Sequence, residues 1–206
     1  MSLYNDYILP HLIALAMQQG DLATYRRRVI PGAGGRVLEI GIGSGLNLPF
    51  YGPDVTSLVG LEPSKRLLGM TSQLAAREHP ALPITLLSGS GENIPLEASS
   101  FDTVAMTWTL CSVSDAGRVL AEIRRVLKPA GALLFVEHGL APEPSVAAWQ
   151  GRLTPVWKRI AGGCHLNRDV EDLLGAAGFR TVALRTGFMR GPRPFTFMSE
   201  GRAVVR

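Results

Sequence analysis

Short apolar runs alternate along this chain with longer stretches of helical spacing, and that alternation carries most of the structural information. Arg36-Val37-Leu38-Glu39-Ile40 opens the series and predicts a strand over 36–41. Similar runs at 57–61, 84–87, 101–107 and 132–137 predict four more. Runs apolar at nearly every position belong to strands covered on both faces. Between them lie helical patterns. One helix is expected from near Leu46, one over 65–77 with Ser64 as its cap, and one after Ser114. The last of these carries Val119, Leu120, Ile123, Val126 and Leu127 on its buried side and ends at Lys128-Pro129-Ala130-Gly131. Asn167 is expected to cap a helix reaching Ala177, with Gly178 as its stop. Pro142, Pro144 and Pro155 surround a further helix, and strands over 179–185 and 195–205 close the chain. Residues 4–30 read as helical, with Ile8, Leu12, Leu15 and Ala16 on one face, either a cap over the rest or a plain packing helix. Strand–helix alternation implies an α/β fold: a doubly wound, mostly parallel seven-stranded sheet with an antiparallel last strand and an N-terminal helical cap. The 206 residues suit one domain. It divides into a cap or lid over 1–30, a core over 36–140 and further helices and strands over 141–206.

Composition narrows the class without naming it. Hydrophobic residues make up 46% and charged residues 18%, as in globular chains. The formal charge is +4, but the basic residues are dispersed. Their densest run, Arg26-Arg27-Arg28, reads as a solvated helix end, with contact to an anionic membrane surface as the alternative. Nucleic acid, which selects a concentrated basic face, is not an expected partner. The two cysteines, Cys111 and Cys164, lack C-x-x-C spacing, so no metal site is expected. No signal peptide is apparent, and the apolar stretch from Ile8 to Met17 is too short for a membrane span. A cytoplasmic protein is expected.

Two motifs point to a ligand. The first strand runs into Gly41-Ile42-Gly43-Ser44-Gly45, and the second ends in Glu62-Pro63-Ser64. Alternate glycines let a turn bend tightly and let its backbone approach a ligand. An acid about 20 residues after such a turn can accept both hydroxyls of a ribose. A nucleoside cofactor across two adjacent strand ends is the implied occupant. The spacing is G-x-G-x-G, whereas nicotinamide sites use G-x-G-x-x-G, and Glu39 precedes the first glycine by two residues. A carboxylate there repels a pyrophosphate and suits an ammonium, which favours S-adenosylmethionine.

The turn resembles the first motif of class I methyltransferases. Gly89-Ser90-Gly91-Glu92-Asn93-Ile94-Pro95-Leu96, Ser99-Ser100-Phe101-Asp102 and Arg125-Val126-Leu127-Lys128-Pro129-Ala130-Gly131 match further motifs in order and spacing. The resemblance covers 36–140 and implies S-adenosyl-L-methionine as cofactor, with S-adenosyl-L-homocysteine as product. It implies a cofactor site of Glu39, Gly41, Ile42, Gly43, Gly45, Asn47, Glu62, Pro63, Ser64, Ser90, Gly91, Glu92 and Thr107. The family usually carries an acid where this chain has Ser90, so the adenine contact falls to Ser90, Glu92 or backbone.

Thr107-Trp108-Thr109-Leu110-Cys111-Ser112-Val113, Val136-Glu137-His138, Trp149-Gln150 and Gly163-Cys164-His165-Leu166-Asn167-Arg168 resemble a methyltransferase-like subgroup acting on small molecules, alkyl thiols among them. That subgroup carries an N-terminal membrane anchor, which is not expected here. The resemblance implies a small, partly apolar acceptor, a thiol or similar soft nucleophile. A phospholipid amine or a quinone precursor is the alternative, and a non-catalytic cofactor-binding subunit the rival of another class. His138 is the candidate base, with a structural or acceptor-orienting role as the alternative. Glu137 is expected to face the site or pair with an arginine. Trp108, Trp149, Trp157 and Phe188 are candidates for an apolar acceptor pocket. Cys164 and His165 are candidate lining residues, and Tyr4 and Tyr7 are expected near the cofactor.

Overall fold

Seven strands form one sheet in the order β3-β2-β1-β4-β5-β7-β6. They are β1 (Gly35–Ile40), β2 (Val55–Glu62), β3 (Ile84–Ser88), β4 (Phe101–Thr107), β5 (Leu127–His138), β6 (Phe179–Phe188) and β7 (Phe197–Val205). The computed structural model describes residues 9–206. β1 lies parallel to both β2 and β4, and β7 runs antiparallel between β5 and β6. The chain winds outward from β1 to β3, then restarts at β4 on the other side. Its switch point therefore lies at the carboxyl ends of β1 and β4, where open α/β sheets bind ligands.

Side chains alternating along the strands build two cores. Leu38 and Ile40 of β1 join Leu133 and Phe135 of β5 on one face. They pack against Val119, Leu120 and Ile123 of α4 (Ala116–Val126) and Val170 and Leu174 of α6 (Val170–Ala176). Val37, Leu134 and Val136 face the other way, toward Val29 of α2 (Gly20–Val29) and Leu68 and Leu74 of α3 (Lys65–Glu78). Helices on both faces explain why the strands read as continuous apolar runs. The remaining helices are α1 (Leu9–Ala16) and α5 (Pro144–Ile160), the latter with Pro155 inside it.

Several expected elements differ. No α-helix follows β1; only a 3-10 turn over Leu48–Phe50 forms. Pro49 and Pro53 lack the amide hydrogens a longer helix needs. The helix expected over 4–30 breaks into α1 and α2 around Met17–Gln19, where the Arg26 guanidinium holds the Met17 carbonyl at 3.0 Å. Leu12 and Leu15, which share one helical face by periodicity, are 49% and 68% exposed, and Leu12 borders the large cavity described below. Helix caps shift as well. Asp115 accepts from the Arg118 amide in place of Ser114, and Asp169 from the Asp172 amide in place of Asn167. Carboxylates serve this role as well as hydroxyls and add a favourable helix-dipole interaction. Ser64 caps α3 as expected, accepting from Leu67 N at 3.4 Å. Tyr4, Tyr7 and Ile8 lie outside the described residues.

Phe135 is wholly buried between β4, β7 and α4. Phe135→Ala should lower unfolding free energy by about 3–5 kcal/mol, read from urea unfolding of the ligand-free protein. A change as small as that of a surface substitution contradicts this packing.

Candidate active site

The glycine turn is pinned from three directions. Gly41 N and Ile42 N donate to the Leu61 carbonyl at 2.8 and 3.2 Å, tying the turn to β2. Thr71 of α3 donates its hydroxyl to the Gly43 carbonyl at 2.6 Å. Glu62, at the tip of β2, accepts from Gly43 N at 3.2 Å and from Ser64 N at 2.9 Å, one bond to each oxygen. Gly41 has φ +68°, and a Cβ there would lie 2.3 Å from Thr109 Oγ1. Only glycine meets both conditions.

Beneath the turn, Glu39 is 1% exposed and carries its own support. Asn47 Nδ2 donates to one oxygen at 2.8 Å and Tyr51 Oη to the other at 2.7 Å. Asn47 Nδ2 also donates to Thr107 Oγ1 at 3.0 Å. Burial pushes the Glu39 pKa up to about 7, against the downward pull of Tyr51, Asn47 and Arg26. The unfolded chain releases this proton near the ordinary carboxylate value of about 4.5, whereas the folded protein holds it up to about 7. This group's contribution to stability therefore falls as pH rises through that window.

A third buried carboxylate shapes the far wall. Glu137 accepts from Thr109 N at 2.9 Å, Leu110 N at 3.0 Å and Cys111 N at 3.2 Å. It does not line the large cavity and forms no ion pair with an arginine among the described residues, the two roles expected from sequence. The segment it holds begins at Trp108, whose φ of +50° is strained for a residue with a side chain. Burial, more than any other effect, raises the Glu137 pKa.

These elements border one cavity of about 870 Å³. Of the expected cofactor residues, Glu39, Gly41, Ile42, Gly43, Asn47, Glu62, Pro63, Ser90, Gly91, Glu92 and Thr107 line it. Gly45 and Ser64 do not. Gly45 packs its bare Cα against Leu48, Thr71 and Leu74, and Ser64 turns to cap α3. Glu92 is largely spent on protein: it accepts from Ser90 Oγ and from Ser114 N at 3.0 Å, tying its loop to the start of α4.

The opposite half of the cavity is mainly apolar, with Trp108, Trp157, Ile160, Met189, Phe195 and Met198. Cys111, Cys164 and His138 also line it. Burial lowers the His138 pKa to about 4, so its imidazole is neutral at physiological pH. Its Nδ1 lies 3.8 Å from Cys164 Sγ, and Nε2 makes no well-formed hydrogen bond. The Cys111 thiol donates toward Cys164, which lowers the Cys164 pKa and raises that of Cys111. Trp149 is 54% exposed and stands outside, because it falls on the solvent side of α5. Phe188 packs on Phe197 and lines a separate cavity of about 300 Å³. His165 reaches the Cys111 carbonyl from both its backbone and Nδ1, bracing two loops without lining the large cavity.

Comparison with known proteins decides what this arrangement is. A family model described as a methyltransferase domain matches residues 38–135. Thiol S-methyltransferase TMT1B of Rattus norvegicus is 36% identical over 171 residues, covering 82% of this chain and 68% of that one. The Homo sapiens TMT1B is 34% identical over 180 residues, covering 85% and 72%. The chain belongs to the class I S-adenosylmethionine-dependent methyltransferases. A Thermotoga maritima S-adenosylmethionine-dependent methyltransferase of known structure shares its fold, with a TM-score of 0.68 at 23% identity over 99% of this chain and 97% of that one. The cofactor of this methyltransferase is S-adenosylmethionine, and the residues present suit it. Asn47 Oδ1 is a buried acceptor without a partner, the turn at Gly41 leaves no room for a Cβ, and carboxylates stand at the tips of β1 and β2. No helix among the described residues is long and apolar enough to cross a membrane.

One residue of this methyltransferase escaped the sequence reading. Arg26 is 4% exposed and lines the cavity, although its run of three arginines read as a solvated helix end. Arg27 and Arg28 are exposed, in keeping with that reading. Helical spacing, with Leu22 and Val29 buried four residues before and three after, was the available signal.

Two substitutions test the geometry. Glu137→Gln replaces one acceptor oxygen by a donor and orphans at least one amide. It should cost about 1–3 kcal/mol in unfolding free energy. Gly41→Ala should abolish most cofactor binding in equilibrium titration, through backbone strain and displacement of Thr109.

Proposed function

We propose that this methyltransferase moves the methyl group of S-adenosylmethionine onto the sulfur of a small apolar thiol. The observation carrying this reading is the character of the cavity's second half. Its walls are aromatic and aliphatic, its imidazole is neutral, and no carboxylate lines it among the described residues after β4. An amine acceptor held as a cation would find no counter-charge there. The curated relatives at 34–36% identity are thiol S-methyltransferases, which supports the same choice.

S-adenosylmethionine supplies an electrophilic methyl on a sulfonium, so the protein's task is to position and desolvate. In this reading Glu62 accepts the ribose hydroxyls, each carboxylate oxygen having one bond already made and room for a second. Glu39 and Asn47 Oδ1 receive the ammonium. Pro63 flanks the adenine on one side and the loop 90–92 on the other, with backbone groups making the polar contact, since Ser90 and Glu92 bind each other. Gly41, Ile42 and Gly43 run beneath the methionine portion, and Thr107 holds Asn47 in place. His138 orients the acceptor. With a pKa near 4 it takes a proton from an ordinary thiol only against roughly 4.5 pK units, or about 6 kcal/mol. The thiol therefore enters neutral, and its proton passes to solvent as the sulfur–methyl bond forms and the cofactor's sulfonium–methyl bond breaks. Within one domain, residues 9–30 act as the cap, 36–140 as the cofactor core that also lends Trp108, Cys111 and His138 to the acceptor side, and 141–206 as the rest of that side.

S-adenosylhomocysteine release from purified protein tests the acceptor, across alkyl thiols, amines, phenols and phosphatidylethanolamine liposomes. Turnover with thiols is expected. Turnover confined to amines, phenols or lipid overturns the sulfur assignment. Glu62→Ala should weaken S-adenosylhomocysteine binding by about 1–3 kcal/mol, measured calorimetrically. Glu39 must ionise to meet an ammonium, so binding should tighten as pH rises from about 5.5 to about 7.5 and then level. Glu39→Gln should flatten that profile.

A further inference from the structure

Arg26 is a buried cation with an unfilled donor. Its Nη1 donates to the Met17 carbonyl at 3.0 Å, and its guanidinium carbon sits 4.8 Å above the Trp108 ring. Nε is buried and has no hydrogen-bond partner. No ion pair forms with Glu39, whose two oxygens each accept one bond, from Asn47 and from Tyr51. Neighbouring Arg28, by contrast, is paired to Glu200 through two bonds of 2.7 and 3.0 Å. Burial lowers the Arg26 pKa only to about 10, so the charge persists at neutral pH. A buried cation without an anion in an ion pair is costly, and a donor left empty adds to that cost. Arg26 lines the cavity that also holds Glu39 and Asn47.

We propose that Arg26 is the carboxylate-binding residue of the cofactor site, taking the α-carboxylate of S-adenosylmethionine while Glu39 and Asn47 take the ammonium. This rests on reading the cavity as the cofactor site. The zwitterionic end of the ligand then meets a cation and an anion of the protein, each supplied by a different segment. Guanidinium is the group suited to this, since its planar donors match a carboxylate two at a time and stack on an aromatic face. Arg26 sits on α2 and also holds the last turn of α1 through Met17, so ligand and cap share one side chain. S-adenosylhomocysteine keeps the carboxylate and should be held equally by Arg26. 5′-Methylthioadenosine and the decarboxylated cofactor lack it and should not be.

The experiment is equilibrium binding of S-adenosylhomocysteine, decarboxylated S-adenosylmethionine and 5′-methylthioadenosine to the full chain. The wild type, Arg26→Lys and Arg26→Gln are compared. The wild type should bind S-adenosylhomocysteine about tenfold to a hundredfold more tightly than the decarboxylated compound. Arg26→Gln should lose a similar factor for S-adenosylhomocysteine, leave 5′-methylthioadenosine within about twofold, and Arg26→Lys should fall between. Equal weakening of all three ligands would mark Arg26 as a structural brace and overturn the proposal. So would wild-type protein that does not discriminate against the decarboxylated compound, a comparison that needs no variant to fold. Failure of the wild type to bind any of the three removes the cofactor-site reading itself. Tight wild-type binding left unchanged by Arg26→Gln removes only the role of Arg26.

Discussion

The three amide bonds accepted by Glu137 are the constraint on which the site's geometry depends. β4 ends at Thr107, and the chain must leave the sheet in a space bounded by β1, β5 and the glycine turn. It does so through Trp108 in a left-handed conformation that a tryptophan adopts only under compulsion. The carboxylate of Glu137 anchors the next three backbone amides, and Trp108 N is itself tied to the Val136 carbonyl at 2.7 Å. With that segment fixed, Thr109 donates to the Ile40 carbonyl at 3.2 Å and comes to rest where a Cβ on Gly41 would be. Trp108 is fixed as a platform under Arg26, and Cys111 is placed beside Cys164. One buried carboxylate on β5 thus sets the contact that holds the glycine turn, the floor beneath Arg26 and one wall of the cavity.

The parts legible in the sequence are those whose causes are local. Strands buried on both faces reveal themselves as apolar runs, and β1, β2 and β4 were located to within about two residues by that signal. The glycine turn and Glu62 were legible for the same reason: backbone conformation and strand-end position are written in adjacent residues. The helix expected near Leu46 failed although its contradiction was also local, because Pro49 and Pro53 outweigh the apolar spacing around them. Features created by tertiary contact stayed hidden. Nothing near Glu137 in the chain shows that its partners lie 26 to 28 residues earlier. Nothing around Trp149 shows which side of α5 the rest of the molecule covers, and Glu92 looked available until α4 came to rest upon it.

The same distinction separates the two halves of the cavity. The cofactor half is dense with committed polar groups: Glu62 holds the turn, Glu39 is held by Asn47 and Tyr51, and Thr107 braces Asn47. Each carries part of its hydrogen bonding internally and keeps part unfilled, which is the condition of a site organised before its ligand arrives. Such an arrangement loses little entropy on binding and tolerates few substitutions. The acceptor half shows the opposite economy, with aromatic and sulfur-bearing side chains and an imidazole whose proton affinity burial has reduced.

That asymmetry fits a reaction whose driving force resides in the donor. A sulfonium methyl needs a nucleophile in line and little water around it, so a half-site of apolar walls performs the necessary work without strong acids or bases. It also means that specificity rests on shape and desolvation, which discriminate weakly between acceptors of similar size. On the proposed reading, a cationic acceptor would leave water without meeting a counter-charge, whereas neutral thiols differing by a methylene differ by little. On that reading the fold fixes the proposed cofactor end closely through named hydrogen bonds, and leaves the acceptor end to be decided by which nucleophiles fit beside His138, Trp157 and Cys164.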